Sequence, residues 1–482
     1  MVSNETYRRQ TYKQVANIGL ALILIALMTF FCRSSPYALV VPVLLMVTGL
    51  YLDKGKDSSC KVFLHVGLLL GLITFTAHTI VAYVPHAVFY TPVAGIVMLT
   101  ALLFNDARLT FMVSLLSGLL VALVSGLGFE ALLIFFVGGL VGGHSVRDAR
   151  TRAQLMGGGL FIGAIHLFCL FLIYRDVQVL LSPRFAAEKI YPLALNGFIS
   201  VILVLGTLKI FEYLFGVLTN YSLLELSDFN QPLLKRMILE APGTYHHSLV
   251  VSNLSEGAAD AIGANALLAR VGAYYHDIGK MVKPEYFTEN QMMGGNKHDE
   301  IEPTMSRLVI LNHVKEGVEL AKKYKLNPLI ADFIPQHHGT SLIHYFHQKA
   351  LEAAQDGEGV DENDFRYPGP KPQFREVAIV LLADSVEGAV RAMDEPTPAR
   401  IEEVVKKIIN NKFIDGQLDE CDLTLREIEI ISATFTRILS AMYHSRVKYP
   451  EKKNGHSHRK PSEKNADSGQ SPQKADSSDS GG

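Results

Sequence analysis

Histidine and aspartate side chains gather in the second half of this chain in a pattern suited to holding metal ions. The centre of the pattern is Tyr275-His276-Asp277-Ile278-Gly279-Lys280, and at longer range stand His246, His247, His313, His337, His338 and Asp384. Imidazole and carboxylate together form the ligand set of Zn, Mn or Fe in N/O coordination. On a helix, adjacent residues point about 100° apart. His276 and Asp277 can therefore address one ion together, or the carboxylate can bridge two ions while the imidazole holds one. His247, His276, Asp277, His313, His337, His338 and Asp384 offer more ligands than one ion requires, which points to two. Two adjacent metals suit phosphodiester hydrolysis: they lower the pKa of a bound water, polarise the phosphoryl oxygen and stabilise the leaving oxygen. Asp277 and Lys280 are the candidate catalytic pair. Lys280 reads either as a substrate contact, meeting a non-bridging phosphate oxygen, or as an exposed helix-end lysine. His246, His298, His344 and His347 read as surface or capped core side chains.

Such ligands must be carried by separate elements that converge, as in metal sites built inside helical bundles. From about residue 233 to 445 the sequence reads as helix after helix. Leu267, Leu268, Val271 and Tyr274 recur at helical spacing, as do Ile379, Leu382, Val386 and Val390. Gly279 is expected to close the helix bearing His276 and Asp277, with Pro284 soon after. Residues 353–375, rich in Asp, Glu, Gly and Pro, read as a long loop or insertion.

The first half is different in kind. The chain has 482 residues, 49% hydrophobic, and up to about Gly216 apolar runs dominate. They fall near 15–32, 36–52, 62–84, 90–104, 109–127, 131–145, 156–174 and 193–215, several close to the ~20 residues that cross a bilayer. Lys/Arg clusters at 8–13, 54–61, 108, 147–152 and 235–236 alternate consistently if all eight runs cross and these clusters face the cytoplasm. Merging two runs would give seven spans. The first run lacks a small-residue cleavage site and is read as a retained span. A net charge of −2 argues against binding a nucleic-acid polymer. Cys32, Cys60, Cys169 and Cys421 are scattered without a CxxC, so thiolate ligation is not expected. His78, His144, His166 and Glu130 lie in or beside spans and are assigned to interior packing or interface roles, while Gly138-Gly139, Gly142-Gly143 and Gly157-Gly158-Gly159 fit close helix packing.

Several ordered strings carry a family resemblance. They are Leu223-Leu224-Glu225-Leu226, the run Glu240-Ala241-Pro242-Gly243-Thr244-Tyr245-His246-His247-Ser248, Gly272 to Lys280, and Glu289-Asn290-Gln291. Gln336-His337-His338-Gly339-Thr340, Leu382-Ala383-Asp384-Ser385-Val386-Glu387 and Gly416 to Thr424 complete the set. Over roughly 217–450 the chain resembles the HD phosphohydrolase superfamily, and closely the membrane-bound HD phosphodiesterases that degrade cyclic di-AMP, the seven-transmembrane HD receptor family. The resemblance implies a dinuclear site, one metal held by His247, His276, Asp277 and Asp384, the other by bridging Asp277 with His313, His337 and His338. It implies two divalent ions, Fe or Mn, and hydrolysis of cyclic di-AMP to linear pApA. It leaves a homodimer open. Family members carry a first span and a large extracellular sensor before the membrane bundle. About fourteen residues precede the first apolar run here, so the expectation is that this sequence holds no such sensor.

Two other readings compete. The first is an HD phosphohydrolase acting on another cyclic dinucleotide or nucleotide: an enzyme for cyclic di-GMP would show a GYP element after the histidine pair, where this chain has Gly339-Thr340-Ser341-Leu342, and mononucleotide phosphohydrolases lack a multi-span membrane half. A non-catalytic nucleotide-binding membrane receptor would be signalled by a missing ligand, and all seven positions are filled. The expectation is an all-α chain: a multi-span transmembrane helical bundle followed by a cytoplasmic all-helical HD-domain phosphohydrolase. Its parts are a short segment 1–14, a transmembrane region 15–216 with seven or eight spans, a connector 217–243, an HD domain 244–450 and a disordered polar tail 451–482.

Overall fold

The computed structural model describes residues 19–33, 41–43, 45, 59–147, 149, 151–291, 295–354 and 359–443. The expectations for segment 1–14, for most of the run 36–52 and for the tail 451–482 fall outside these residues. Among the described residues the chain is all α-helical, with one isolated antiparallel bridge between Leu342 and Arg366.

The first half is a bundle of apolar helices: α1 (Gly19–Phe31), α2 (Ser59–Tyr83), α3 (Val93–Phe104), α4 (Ala107–Ser125), α5 (Phe129–Val146), α6 (Arg152–Tyr174) and α7 (Tyr191–Phe215). Six of the described helical stretches are long and apolar enough to cross a membrane, and α1 is shorter. Stretches 90–104 and 131–145, short as apolar runs, extend to Ala87–Phe104 and Phe129–Val146 once their flanking residues join the helices. The caps follow from sequence. Asp106 accepts from the Arg108 and Leu109 amides at the start of α4, and Thr151 with Gln154 forms a capping box on α6.

Small residues let these helices approach closely. A Cβ on Gly197 of α7 would stand 1.9 Å from the Gly159 carbonyl oxygen of α6, so only glycine fits there. His166 is fully buried beside Gly138, whereas His144 is exposed. Glu130 accepts from the Tyr174 hydroxyl at 2.9 Å and pairs with Lys189 at 2.5 Å, fastening the ends of α5 and α6 to the start of α7.

At the opposite end of α7 the chain turns into α8 (Asn220–Leu226). The buried Glu212 carboxylate accepts from the Thr219 amide at 3.2 Å and the Ser222 hydroxyl at 2.6 Å, which fixes that corner. Leu223 of α8 enters a second core. That core is built by α9 (Pro232–Glu240), α10 (Pro242–Ala261), α11 (Ala266–Tyr275), α12 (Pro303–Lys323), α13 (Phe333–Gln336), α15 (Arg375–Arg391), α16 (Pro398–Ile414) and α17 (Leu425–Met442), while Phe346 and Ala350 of α14 (His344–Ala353) form a separate small cluster with Phe365. Ile379, Leu382, Val386 and Val390 of α15 are fully buried at its centre, with Val271 and Tyr274 of α11 against them. Proline at the first turn starts α9, α10, α12 and α16, where its missing N–H costs no hydrogen bond.

Candidate metal centre

The seven expected ligands come together from three helices and two turns. His247 lies on α10 and His313 on α12, while Asp384 lies on α15; His337 and His338 follow α13. His276 and Asp277 do not sit within a helix. α11 ends at Tyr275, His276 is its C-cap, and Asp277 at φ −110°, ψ 15° opens a 3₁₀ turn over Ile278–Val282. Gly279 therefore is not the stop of that helix. It lies inside the turn, where a Cβ would stand 1.8 Å from the His313 carbonyl oxygen, so glycine is required for α12 to pack this closely.

Two groups of potential ligand atoms result, each with its members within 4.8 Å of one another: Asp277, His313, His337 and His338 in one, His247, His276, Asp277 and Asp384 in the other. Asp277 belongs to both and divides its oxygens between them. Its Oδ2 is 3.2 Å from His276 Nε2 and 3.6 Å from His247 Nε2; its Oδ1 is 3.4 Å from His313 Nε2 and 3.6 Å from His337 Nε2. Asp384 spans the same gap, with Oδ1 at 3.0 Å from His247 Nε2 and Oδ2 at 3.5 Å from His338 Nδ1.

The fit to metal rests on unpaired buried atoms. The Nε2 atoms of His276, His313 and His337 and Asp277 Oδ1 are buried without a hydrogen-bond partner, while Asp277 Oδ2 meets the Lys280 ammonium and His247 Nε2 meets Asp384 Oδ1. Leaving four such atoms unsatisfied would be costly unless something else meets them. In all four rings Nδ1 is occupied: by Glu387 Oε2 at 2.5 Å for His247, and by the carbonyls of Ala273 (2.7 Å), Ile310 (2.5 Å) and Ile334 (2.8 Å) for His276, His313 and His337. A donor role for Nδ1 leaves the Nε2 lone pair facing the centre, the tautomer a metal ligand needs.

Charge balance agrees. Burial opposes ionisation of Asp277, yet the Lys280 ammonium and His276 outweigh it and hold the carboxyl well below its usual range. Burial, with the Lys280 and His337 charges acting the same way, pushes His313 down to about 4, and burial likewise drives His338 well below the usual histidine value. These rings are neutral at pH 7, with lone pairs free. His247 goes the other way: burial disfavours its charge, but Asp384 and Glu387 raise it to about 9. A cation facing Nε2 would answer the same carboxylates.

Lys280 is not an exposed helix-end residue. Its side chain is 13% exposed and its ammonium lies 2.6 Å from Asp277 Oδ2 and 2.9 Å from Glu289 Oε1. His246 and His344 are exposed, His347 lies against Phe365, and His298 packs on Phe346; none joins either group. Three residues at the centre escaped sequence reasoning as site residues. Glu387 and Glu289 stood in the quoted strings, but the pairing of Glu387 with the distant His247 and of Glu289 with Lys280 across intervening turns is set by the fold. Tyr367 was lost in the presumed insertion 353–375. The loop in fact lays its ring on His338, centroids 4.2 Å apart and planes 27° apart.

The other strings brace these parts. Thr244 and Asn290 bond reciprocally, at 3.1 Å to the Thr244 amide and 2.8 Å from the Asn290 amide, and so place Glu289. The Gln417 side chain accepts from the Thr340 amide at 2.8 Å, holding the turn after His338 at Gly339, whose φ is +54°.

Comparison with known proteins agrees with this architecture. Residues 35–219 match the family described as 7TM receptor with intracellular HD hydrolase, and residues 244–389 match the HD domain. Cyclic-di-AMP phosphodiesterase PgpH of Listeria monocytogenes serotype 1/2a is 38% identical over 475 residues, 94% of this chain and 62% of that protein. Its namesake in Bacillus subtilis is 40% identical over 369 residues, 75% of this chain and 51% of that protein. This chain thus spans between half and two thirds of the length of the curated relatives it matches. A crystal structure of the L. monocytogenes PgpH HD domain in complex with cyclic-di-AMP is 51% identical, with 45% of this chain and 100% of that chain covered and a TM-score of 0.43. This multi-pass membrane chain belongs to the family of 7TM receptors with an intracellular HD hydrolase.

Proposed function

We propose that this protein is a metal-dependent phosphodiesterase that hydrolyses cyclic di-AMP to linear pApA at the cytoplasmic face of the membrane. The observation that carries the reading is the pair of ligand groups sharing Asp277, one carboxylate oxygen turned to each. In this reading His247, His276, Asp277 and Asp384 hold one divalent ion, and Asp277, His313, His337 and His338 hold the other. Fe and Mn both suit such an N/O donor set. When bound, the two ions supply an activated water and neutralise charge that develops on the phosphoryl group. Lys280 keeps Asp277 ionised and presents its ammonium to a non-bridging phosphoryl oxygen. Glu387 and the Ala273, Ile310 and Ile334 carbonyls hold the four imidazoles in one tautomer, so that no ring must turn when an ion arrives. The substrate assignment is supported by the 38–40% identity to cyclic-di-AMP phosphodiesterases. The cytoplasmic placement is supported by the Lys/Arg clusters at alternate ends of the spans.

The test is chromatographic. The full chain, purified in detergent and loaded with Mn or Fe, is expected to convert cyclic di-AMP to pApA and to stop after chelation. Faster turnover of cyclic di-GMP would overturn the substrate. Undiminished turnover by protein shown to be free of metal would overturn the mechanism.

A further inference from the structure

The last span and the second core do not close on each other completely. Between them lies a cleft of about 1010 Å³, at the upper end of the ~300–1,000 Å³ usual for ligand pockets. One wall is the end of α7 from Lys209 to Gly216; the other is the turn after α12, from Tyr324 to Pro328. The α7 wall exposes apolar side chains between Lys209 and Glu212 and beyond: Ile210 is 62% and Tyr213 91% exposed, and Val217 continues the surface. An exposed apolar side chain on a membrane span faces acyl chains, and a tyrosine near the span end belongs at headgroup depth.

The opposite wall carries one lysine. Lys322-Lys323-Tyr324-Lys325 closes α12, and Lys325 lines the cleft. Lys322 is paired with Glu319 at 2.9 Å, but among the described residues neither Lys323 nor Lys325 forms an ion pair, and both are exposed. The acidic groups of the cleft are already engaged. Glu225 pairs with Lys209 at 2.9 Å, and Glu212 accepts from Thr219 and Ser222. Lys325 is thus the lysine of the cleft lining without an ion pair among the described residues, facing the exposed apolar side chains of a span, while the Glu212 oxygens are turned to Thr219 and Ser222.

We propose that this cleft holds an anionic phospholipid of the adjoining leaflet, its acyl chains along Ile210, its headgroup at the depth of Tyr213 and its phosphate at Lys325, with Lys323 beside it. A soluble peptide would have to enter past a wall that the bilayer itself covers, whereas a lipid is already there. The floor of the cleft includes Tyr275, whose hydroxyl donates to the Leu226 carbonyl at 2.8 Å and which directly precedes His276. The bound lipid thus lies against the residue that leads into the metal centre.

The experiment uses the full chain in phosphatidylcholine nanodiscs doped with tail-labelled, photoactivatable phosphatidylglycerol, followed by peptide mapping. Label is expected in the peptide covering residues 209–218, and unlabelled phosphatidylglycerol, but not phosphatidylcholine, should displace it. Each lysine near a membrane surface is worth about 1 kcal/mol, or roughly five-fold in affinity. Lys323→Ala with Lys325→Ala should therefore weaken the labelling about 25-fold. Both lysines are exposed, so turnover of cyclic di-AMP, or retained binding of it, reports that the variant is folded. Equal displacement by the two lipids, unchanged labelling of a folded double variant, or label confined to other spans would each overturn the proposal. None of these results bears on whether the metal centre hydrolyses cyclic di-AMP.

Discussion

His247, His276, His313 and His337 present the same nitrogen to the centre because each has its other nitrogen engaged by a carboxylate or a backbone carbonyl. That uniformity makes the role of single residues testable. Asp277→Asn removes the negative charge that faces both groups of histidines. Turnover of cyclic di-AMP should be lost, and metal analysis of the purified variant should show both ions depleted rather than one. Glu387→Gln tests a different step. The His247 ring stays, but its Nδ1 loses the charged acceptor at 2.5 Å. Removing such an outer partner typically lowers metal affinity by about 10–100-fold. The expected outcome is a shift of that size in metal titration, with activity restored at high metal concentration. The rest of the site was legible in the sequence as residue types, because only N/O donors were plentiful. Glu387, Glu289 and Tyr367 were not recognised, because a partner role depends on which side chain lies within about 3 Å, and spacing along the chain does not encode that.

Helices and turns set how closely these residues meet. The approach of α12 to the turn over Ile278–Val282 depends on Gly279, where a methyl group would collide with the His313 carbonyl. Gly279→Ala should destabilise the HD part by about 1–3 kcal/mol, as overpacking commonly does, and should weaken metal binding because His313 is pushed from its place. Thermal unfolding together with metal titration would check both effects. The loop that carries Tyr367 is held from the other side: Arg366 pairs with Asp415 at 2.9 Å, and Asp415 also accepts from Gln417 at 2.9 Å. Burial works against the Asp415 charge, but Arg366 and Gln417 prevail and hold its carboxyl below the usual value. A carboxylate with a depressed folded pKa stabilises above its unfolded value near 3.9, and that contribution disappears as pH falls through the folded value. Asp415→Asn should thus lower the apparent unfolding midpoint at pH 7. The gap to the unsubstituted protein should shrink as pH drops below about 4. A gap that stayed constant down to pH 3 would show that the charge is not what holds the loop. Sequence periodicity located α11 and α15 well, since each buries one apolar face. It misplaced the end of α11 because the helix stops where His276 and Asp277 must turn inward, a demand of the site and not of local propensity.

At the scale of the whole molecule, two cores are joined by α8, fixed to the last span through Glu212 and to the second core through Leu223 and the Tyr275 hydroxyl. Each core has its own apolar packing, so loss of metal should not unfold the membrane bundle. Ligands that bind only the folded state stabilise it by RT ln(1 + [L]/Kd), about 4 kcal/mol at a thousand-fold excess over Kd. Chelation should therefore lower the unfolding midpoint of the HD part while the helical signal of the bundle at moderate temperature is retained. Circular dichroism melts of the full chain with and without chelator would show it. A collapse of both parts together would mean that the two cores are not independent.

The sequence by itself determined the division into an apolar, span-length half and a helical, histidine-bearing half, because composition and periodicity are properties of consecutive residues. It also named the donor set, since few side chains can bind a hard or borderline cation in N/O coordination. Only the tertiary structure decided that Asp277 gives one oxygen to each group, that Lys280 is buried against it, and that a supposed insertion carries Tyr367 to His338. Those facts depend on helices far apart in the chain meeting at ångström distances. Such contacts are fixed by packing, where a single methyl at Gly279 would matter, and not by any local pattern of residues.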